Sequence, residues 1–144
     1  MSIESPLAAL IPHQGGMCLH ERVLSWTESR VTLASNSHRA PDNPLRRTGR
    51  LHAIHLCEYG AQAMAVHAGL RAEERGERAP PGMLVSLRGV TLAVQRIVVL
   101  DGELVTVAEC VLAGADSAQY AFRVRHEGRV LAEGRAAVMM QIPA

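Results

Sequence analysis

Between Gly49 and Glu74 the chain reads GRLHAIHLCEYGAQAMAVHAGLRAEE, a long proline-free segment dense in helix formers. Nearly every residue from Leu51 to Leu70 is apolar, small or histidine. A surface helix shows one apolar stripe and one charged face. This segment shows neither, so it is expected to form one helix from about His52 to Arg71, buried on most sides. Its polar interruptions, His52, His55, Glu58, Gln62 and His67, rule out a membrane span. Charge returns only in Arg71 to Arg78 (RAEERGER), where the helix should reach water. A carboxylate in such a helix, Glu58, followed one turn later by the amide of Gln62, is costly to bury unpaired. That cost directs attention to chemistry at this turn.

The flanks read as strand. Leu19 to Trp26 and Arg30 to Ser35 (RVTLAS) have the alternation and β-branched bias of half-buried strands, with a turn at Thr27-Glu28-Ser29. The stretch from Asn36 to Thr48, holding Pro41 and Pro44, is a loop, and Pro80-Pro81 stops the helix exit. Strand-like runs follow at Met83 to Leu87, Val90 to Leu100, Glu103 to Leu112, Ala118 to His126 and Arg129 to Gln141. Asp101-Gly102 is expected to close a hairpin, and Glu127-Gly128 another turn. Two strands, one long helix and about four more strands imply an α+β fold, an antiparallel sheet wrapped around one buried helix, which is the hot-dog arrangement.

At 144 residues the chain suits a single domain, 1–144, with a sizeable core. A net charge of +1 and only four aromatic rings, Trp26, Tyr59, Tyr120 and Phe122, argue against a nucleic-acid partner. The cysteines Cys18, Cys57 and Cys110 form no metal or redox motif, and the N-terminal residues carry no signal-peptide pattern. The expectation is a reduced, cytoplasmic protein with no membrane segment.

Two stretches resemble the hot-dog 3-hydroxyacyl-acyl-carrier-protein dehydratases. Ile11-Pro12-His13-Gln14-Gly15-Gly16-Met17 with Glu21-Arg22-Val23 is similar to that family's opening motif. Glu58-Tyr59-Gly60-Ala61-Gln62 is similar to its central-helix signature. The run from His38 to Glu58, with NPLRRTGRL inside it, resembles a branch associated with aryl-polyene and other pigment pathways. The family's His-Phe-Pro-Gly loop is absent; Pro44 stands roughly in its place and His38 lies earlier. The resemblance implies dehydration of a carrier-bound 3-hydroxyacyl thioester to the trans-2-enoyl thioester. It also implies an acyl carrier protein as partner, a substrate borne on phosphopantetheine with no other cofactor, and sites built between two hot-dog subunits, identical or related.

Such a dehydration needs a base for the proton next to the carbonyl, an acid for the departing hydroxyl, and donors for the enolate oxygen. Glu58 is the expected acid, since a carboxyl in an apolar site can hold a proton to give. Its alternative is a pairing with Arg46 or Arg47. Gln62 lies one turn on and is expected to orient Glu58 or to make an ordinary core hydrogen bond. His38, in the loop, is the expected base. His55, three residues before Glu58, competes for that role. His52 is expected to be structural, and His13 to brace the loop. Gly49 lies near the helix start, where free N–H groups would face the thioester oxygen. Arg46 and Arg47, with Arg50, are expected to meet a phosphate or an acidic carrier surface, or simply water. His52, His55 and Glu58 fan out around a helix and make a poor metal set, so no metal is expected. Thioester hydrolysis and a non-catalytic partner role on the same fold stay open. The strand-rich tail, Val130 to Ile142, is expected to pair or pack against a second copy.

Overall fold

The computed structural model describes residues 19–37, 55–77, 82–92, 102–114 and 116–140. Its elements are β1 (Arg22–Trp26), β2 (Arg30–Ser35), α1 (Leu56–Glu74), β3 (Gly82–Leu92), β4 (Leu104–Ala113), β5 (Ser117–His126) and β6 (Arg129–Met140). The six strands form one antiparallel sheet in the order β1-β2-β4-β5-β6-β3. The helix lies across one face, against β4, β2, β5 and β6.

Local chemistry sets the tight connections. Thr27 and Arg30 exchange backbone hydrogen bonds around Glu28-Ser29. Glu127 and Gly128 both take positive φ, 50° and 80°, the backbone of a two-residue hairpin turn whose twist matches the strands it joins. At the helix exit Gly76, at φ 73°, lets its own N–H reach Glu73 O and the Glu77 N–H reach Ala72 O. These bonds satisfy two orphan carbonyls and end the helix three residues beyond the expected Arg71. The expected start at His52 lies outside the described residues.

Alternation places Val31 and Leu33 of β2, Ala108 of β4, and Tyr120 and Phe122 of β5 under the helix. Phe122 is the tightest point. A Cβ on Gly60 of α1 would fall 2.5 Å from its ring, and one on Gly134 of β6 would fall 3.2 Å from it. The ring fits because both neighbours lack a side chain. A second cluster, Leu19, Leu56, Tyr59, Leu104, Val124, Leu131 and Ala132, seals the end of the sheet below the helix start.

The helix is buried on most sides, as expected, and two other expectations need correcting. His55, Glu58, Ala61, Ala65, Ala68 and Arg71 are half-exposed, and their spacing of three and four residues defines one stripe. A single sheet layer covers the other sides and leaves this one open; its alanines disguise it in the sequence as core. Asp101-Gly102 does not close a hairpin between paired strands, because β3 pairs with β6 and β4 pairs with β2 and β5. Gly102 does adopt φ 84°, a turn backbone, but local turn chemistry cannot choose the strand's partner. Nor is the tail an edge. β6 lies between β5 and β3, and the long edge is β3. The runs expected at Met83–Leu87 and Val90–Leu100 meet in the single strand β3 as far as Leu92, bent at a bulge between Arg88 and Thr91. No described helix is long and apolar enough to cross a membrane.

Candidate active site

Glu58 sits in the first turn of α1, where a negative charge suits the helix dipole, and its side chain reaches the half-exposed stripe. Gln62 lies one turn further on and is fully buried. Its Oε1 accepts the buried backbone N–H of Leu19 at 2.8 Å. That bond decides which way the amide points, so its Nε2 faces Glu58 Oε1, at a long 3.5 Å. Gln62 therefore ties the entry to β1, the helix and the carboxylate into one unit.

A polar cluster surrounds this turn. His20 is buried, and its Nε2–H donates to the carbonyl of Tyr59 at 2.7 Å. The Tyr59 ring stands edge-on to the imidazole, with centroids 5.6 Å apart. Burial pushes the His20 pKa down to about 4, and the bond to Tyr59 O only partly offsets that, so the ring is neutral near pH 7. The Tyr59 hydroxyl lies 2.7 Å from Ser37 Oγ, and Ser37 Oγ 2.9 Å from Ser35 Oγ. Ser35 donates to the carbonyl of Leu19. Residues 19 and 20, the exit of β2 and the first turns of α1 are thus held together by hydrogen bonds.

A second buried pair lies two turns along the helix. His67 Nε2–H donates to Thr27 O at 3.1 Å, which leaves Nδ1 to accept the Tyr120 hydroxyl at 2.8 Å. Burial lowers the His67 pKa and raises that of Tyr120. Cys57, also buried, has its thiol pushed up by desolvation, the reverse of what a nucleophile needs.

Of the residues singled out in the sequence, Glu58 and Gln62 come together as described. His55 is the half-exposed residue at the helix N-cap, where its side chain makes no cap hydrogen bond. His38, His13, Gly49, Arg46 and Arg47 lie outside the described residues, as does His52 of the metal triplet. No group of three metal-ligating side chains gathers among the described residues. Glu21 and Arg22 of the opening motif serve the framework: the Glu21 carboxylate accepts the Asn36 N–H, and Arg22 forms a two-point ion pair with Glu103. Sequence reasoning missed His20 and Tyr59 as members of this cluster. Their only signal was position, next to the two motifs.

One helix laid across a six-stranded antiparallel sheet, here with a carboxylate and a locked amide on its first turns, is the architecture of a hot-dog protein. The chain belongs to the ApeP-like (ApeP dehydratase) family, whose model matches residues 5–142. No curated protein matches it by sequence. Among solved structures it is similar to a chain of the dehydratase heterocomplex ApeI:P from Xenorhabdus doucetiae, with TM-score 0.87 and 23% identity over 97% of this chain and 93% of that one. Zebrafish thioesterase superfamily member 2 aligns with TM-score 0.64 and 19% identity, over 96% and 95% of the two chains. A hypothetical thioesterase from Streptococcus pneumoniae TIGR4, crystallised with coenzyme A, aligns with TM-score 0.58 and 14% identity, over 83% and 84%.

Proposed function

We propose that this dehydratase-family protein removes water from a 3-hydroxyacyl thioester on an acyl carrier protein, giving the trans-2-enoyl thioester, in a fatty-acid-like or polyene pathway of the cytoplasm. The observation that carries the reading is the Glu58–Gln62–Leu19 unit. It holds one carboxyl at the open stripe of an otherwise buried helix, with its neighbouring amide unable to flip. In this reading protonated Glu58 donates to the departing hydroxyl while Gln62 orients it. His38 takes the proton next to the carbonyl. N–H groups at the helix start near Gly49 stabilise the enolate oxygen. His13 and His55 line the site and brace it, and Arg46 and Arg47 receive the phosphopantetheine phosphate or the acidic carrier surface. No cofactor or metal is required beyond the phosphopantetheine that bears the substrate.

A second hot-dog subunit, identical or related, completes the site over the open stripe. The similar Xenorhabdus chain comes from a heterocomplex, which supports a second reading, in which this chain is the non-catalytic partner of an active dehydratase. Thioester hydrolysis with Glu58 activating water is the third. Incubation of the chain, alone and with a related hot-dog subunit, with a 3-hydroxyacyl carrier protein separates them by mass spectrometry. Loss of water from the chain alone supports dehydration. Loss of the acyl group means hydrolysis. Dehydration only with the second subunit, and unaffected by Glu58→Gln, means a partner role.

A further inference from the structure

The sheet face away from α1 carries charge in rows. Arg30 of β2 pairs with Glu109 of β4 at 2.7 Å, and Arg123 of β5 with Glu133 of β6 at 3.3 Å. These pairs occupy Glu109 and Glu133 of that face and leave other cations without an acid. Arg88 of β3 and Arg135 of β6 stand directly opposite each other in the ladder, both exposed, with no acidic partner among the described residues. Like charges directly across a ladder are destabilising. The bulge that begins at Arg88, with Gly89 at φ 61°, sets this arginine at the rim of a shallow cleft. Arg88, Arg135 and the exposed amide of Gln119 line that cleft, and Tyr120 and Ala136 form its floor.

We infer that this cleft binds a phosphate ester. Two guanidiniums present paired N–H donors that match phosphate oxygens two at a time, and the Gln119 amide adds a neutral donor. A phosphate also cancels the repulsion between the two arginines, so its binding is coupled to stability. The assignment stands on geometry alone and not on the reaction proposed above. The phosphate would be free in solution or carried on a pantetheine arm, and the ligands used tell these apart.

Titration calorimetry of the full chain with inorganic phosphate, 4′-phosphopantetheine and pantetheine tests the site. Wild type should bind 4′-phosphopantetheine roughly tenfold or more tightly than pantetheine, the scale of charge-assisted hydrogen bonds. That ratio should fall several-fold in the Arg88→Gln/Arg135→Gln variant, to whatever preference Arg46 and Arg47 supply, and persist in Arg30→Gln. Inorganic phosphate binding equally well, and lost in the same variant, marks free phosphate as the source. Should the double variant fail to fold, Arg88→Gln alone, on the exposed edge strand, serves in its place. Equal binding of phosphorylated and plain pantetheine with no binding of inorganic phosphate, or a ratio unchanged by the substitutions, overturns the inference. So does equal binding of apo and holo carrier protein that is lost in the variant, because that pattern assigns the arginines to carboxylates of a protein surface.

Discussion

His20 shows how much a single buried residue can do without touching solvent. Its imidazole is neutral in the fold at pH 7, with a pKa of about 4 against 6.5 when exposed. Between those values the unfolded chain binds the proton and the folded chain does not, so stability rises with pH. The contribution is fully present above about 6.5 and is lost as pH falls toward 4. It is worth on the order of 3 kcal/mol, and burial of His67 acts in the same direction. Urea unfolding at steps between pH 7 and 4 should show a steep loss, which His20→Gln, keeping a donor for Tyr59 O, should flatten. A level profile would contradict the burial. Glu58 makes the other residue-scale prediction. In the proposed reaction Glu58→Gln keeps shape and hydrogen bonding but has no proton to give, so turnover should drop about a hundredfold or more with the melting temperature held. His38→Ala should match that loss. If His55→Ala abolishes turnover and His38→Ala does not, the base lies on the helix.

At the scale of the element, α1 is positioned by absences as much as by contacts. Gly60 has no room for a side chain: a methyl there meets the Phe122 ring at 2.5 Å, and Gly134 packs against the same ring, 3.2 Å from where its own Cβ would stand. Gly60→Ala should therefore destabilise by about 1–3 kcal/mol through overpacking, in spite of the roughly 1 kcal/mol that alanine offers a helix over glycine. Thermal unfolding measures it. Phe122→Leu in the same chain should recover part of the loss, and a Gly60→Ala variant more stable than wild type would show that the helix can shift on the sheet.

For the whole molecule the question is what covers the open surfaces. β3 is a long edge strand, and Val85, Leu87 and Leu92 on it are 49%, 39% and 40% exposed. Exposed apolar edges recruit another chain unless protected. The alanine stripe of α1, beside Glu58, is open as well. Light scattering at micromolar concentration should give a dimer of this chain, or a complex once a related hot-dog subunit is added. Val85→Lys with Leu87→Lys should shift either one toward monomer. A wild-type monomer that ignores such a subunit would sink the two-subunit site.

Local pattern alone was enough for β2, for the Glu127-Gly128 hairpin and for the existence and place of the helix, because alternation, turn residues and helix formers act over a few residues. The pairing of Glu58 with Gln62 was legible for the same reason, since residues four apart share a helix face. Sequence could not say that β3 crosses to pair with β6, that the tail is interior, or that one stripe of α1 stays open. Those outcomes depend on which surfaces meet across the whole chain, and alanine reads the same on a covered face and an open one. Nor could it find His20, whose neutral state exists only because Leu19, Tyr59 and Gln62 close over one spot from two distant segments. Spacing along the chain carries side chains to a shared face; burial, and with it charge state, is decided only when separate segments pack together.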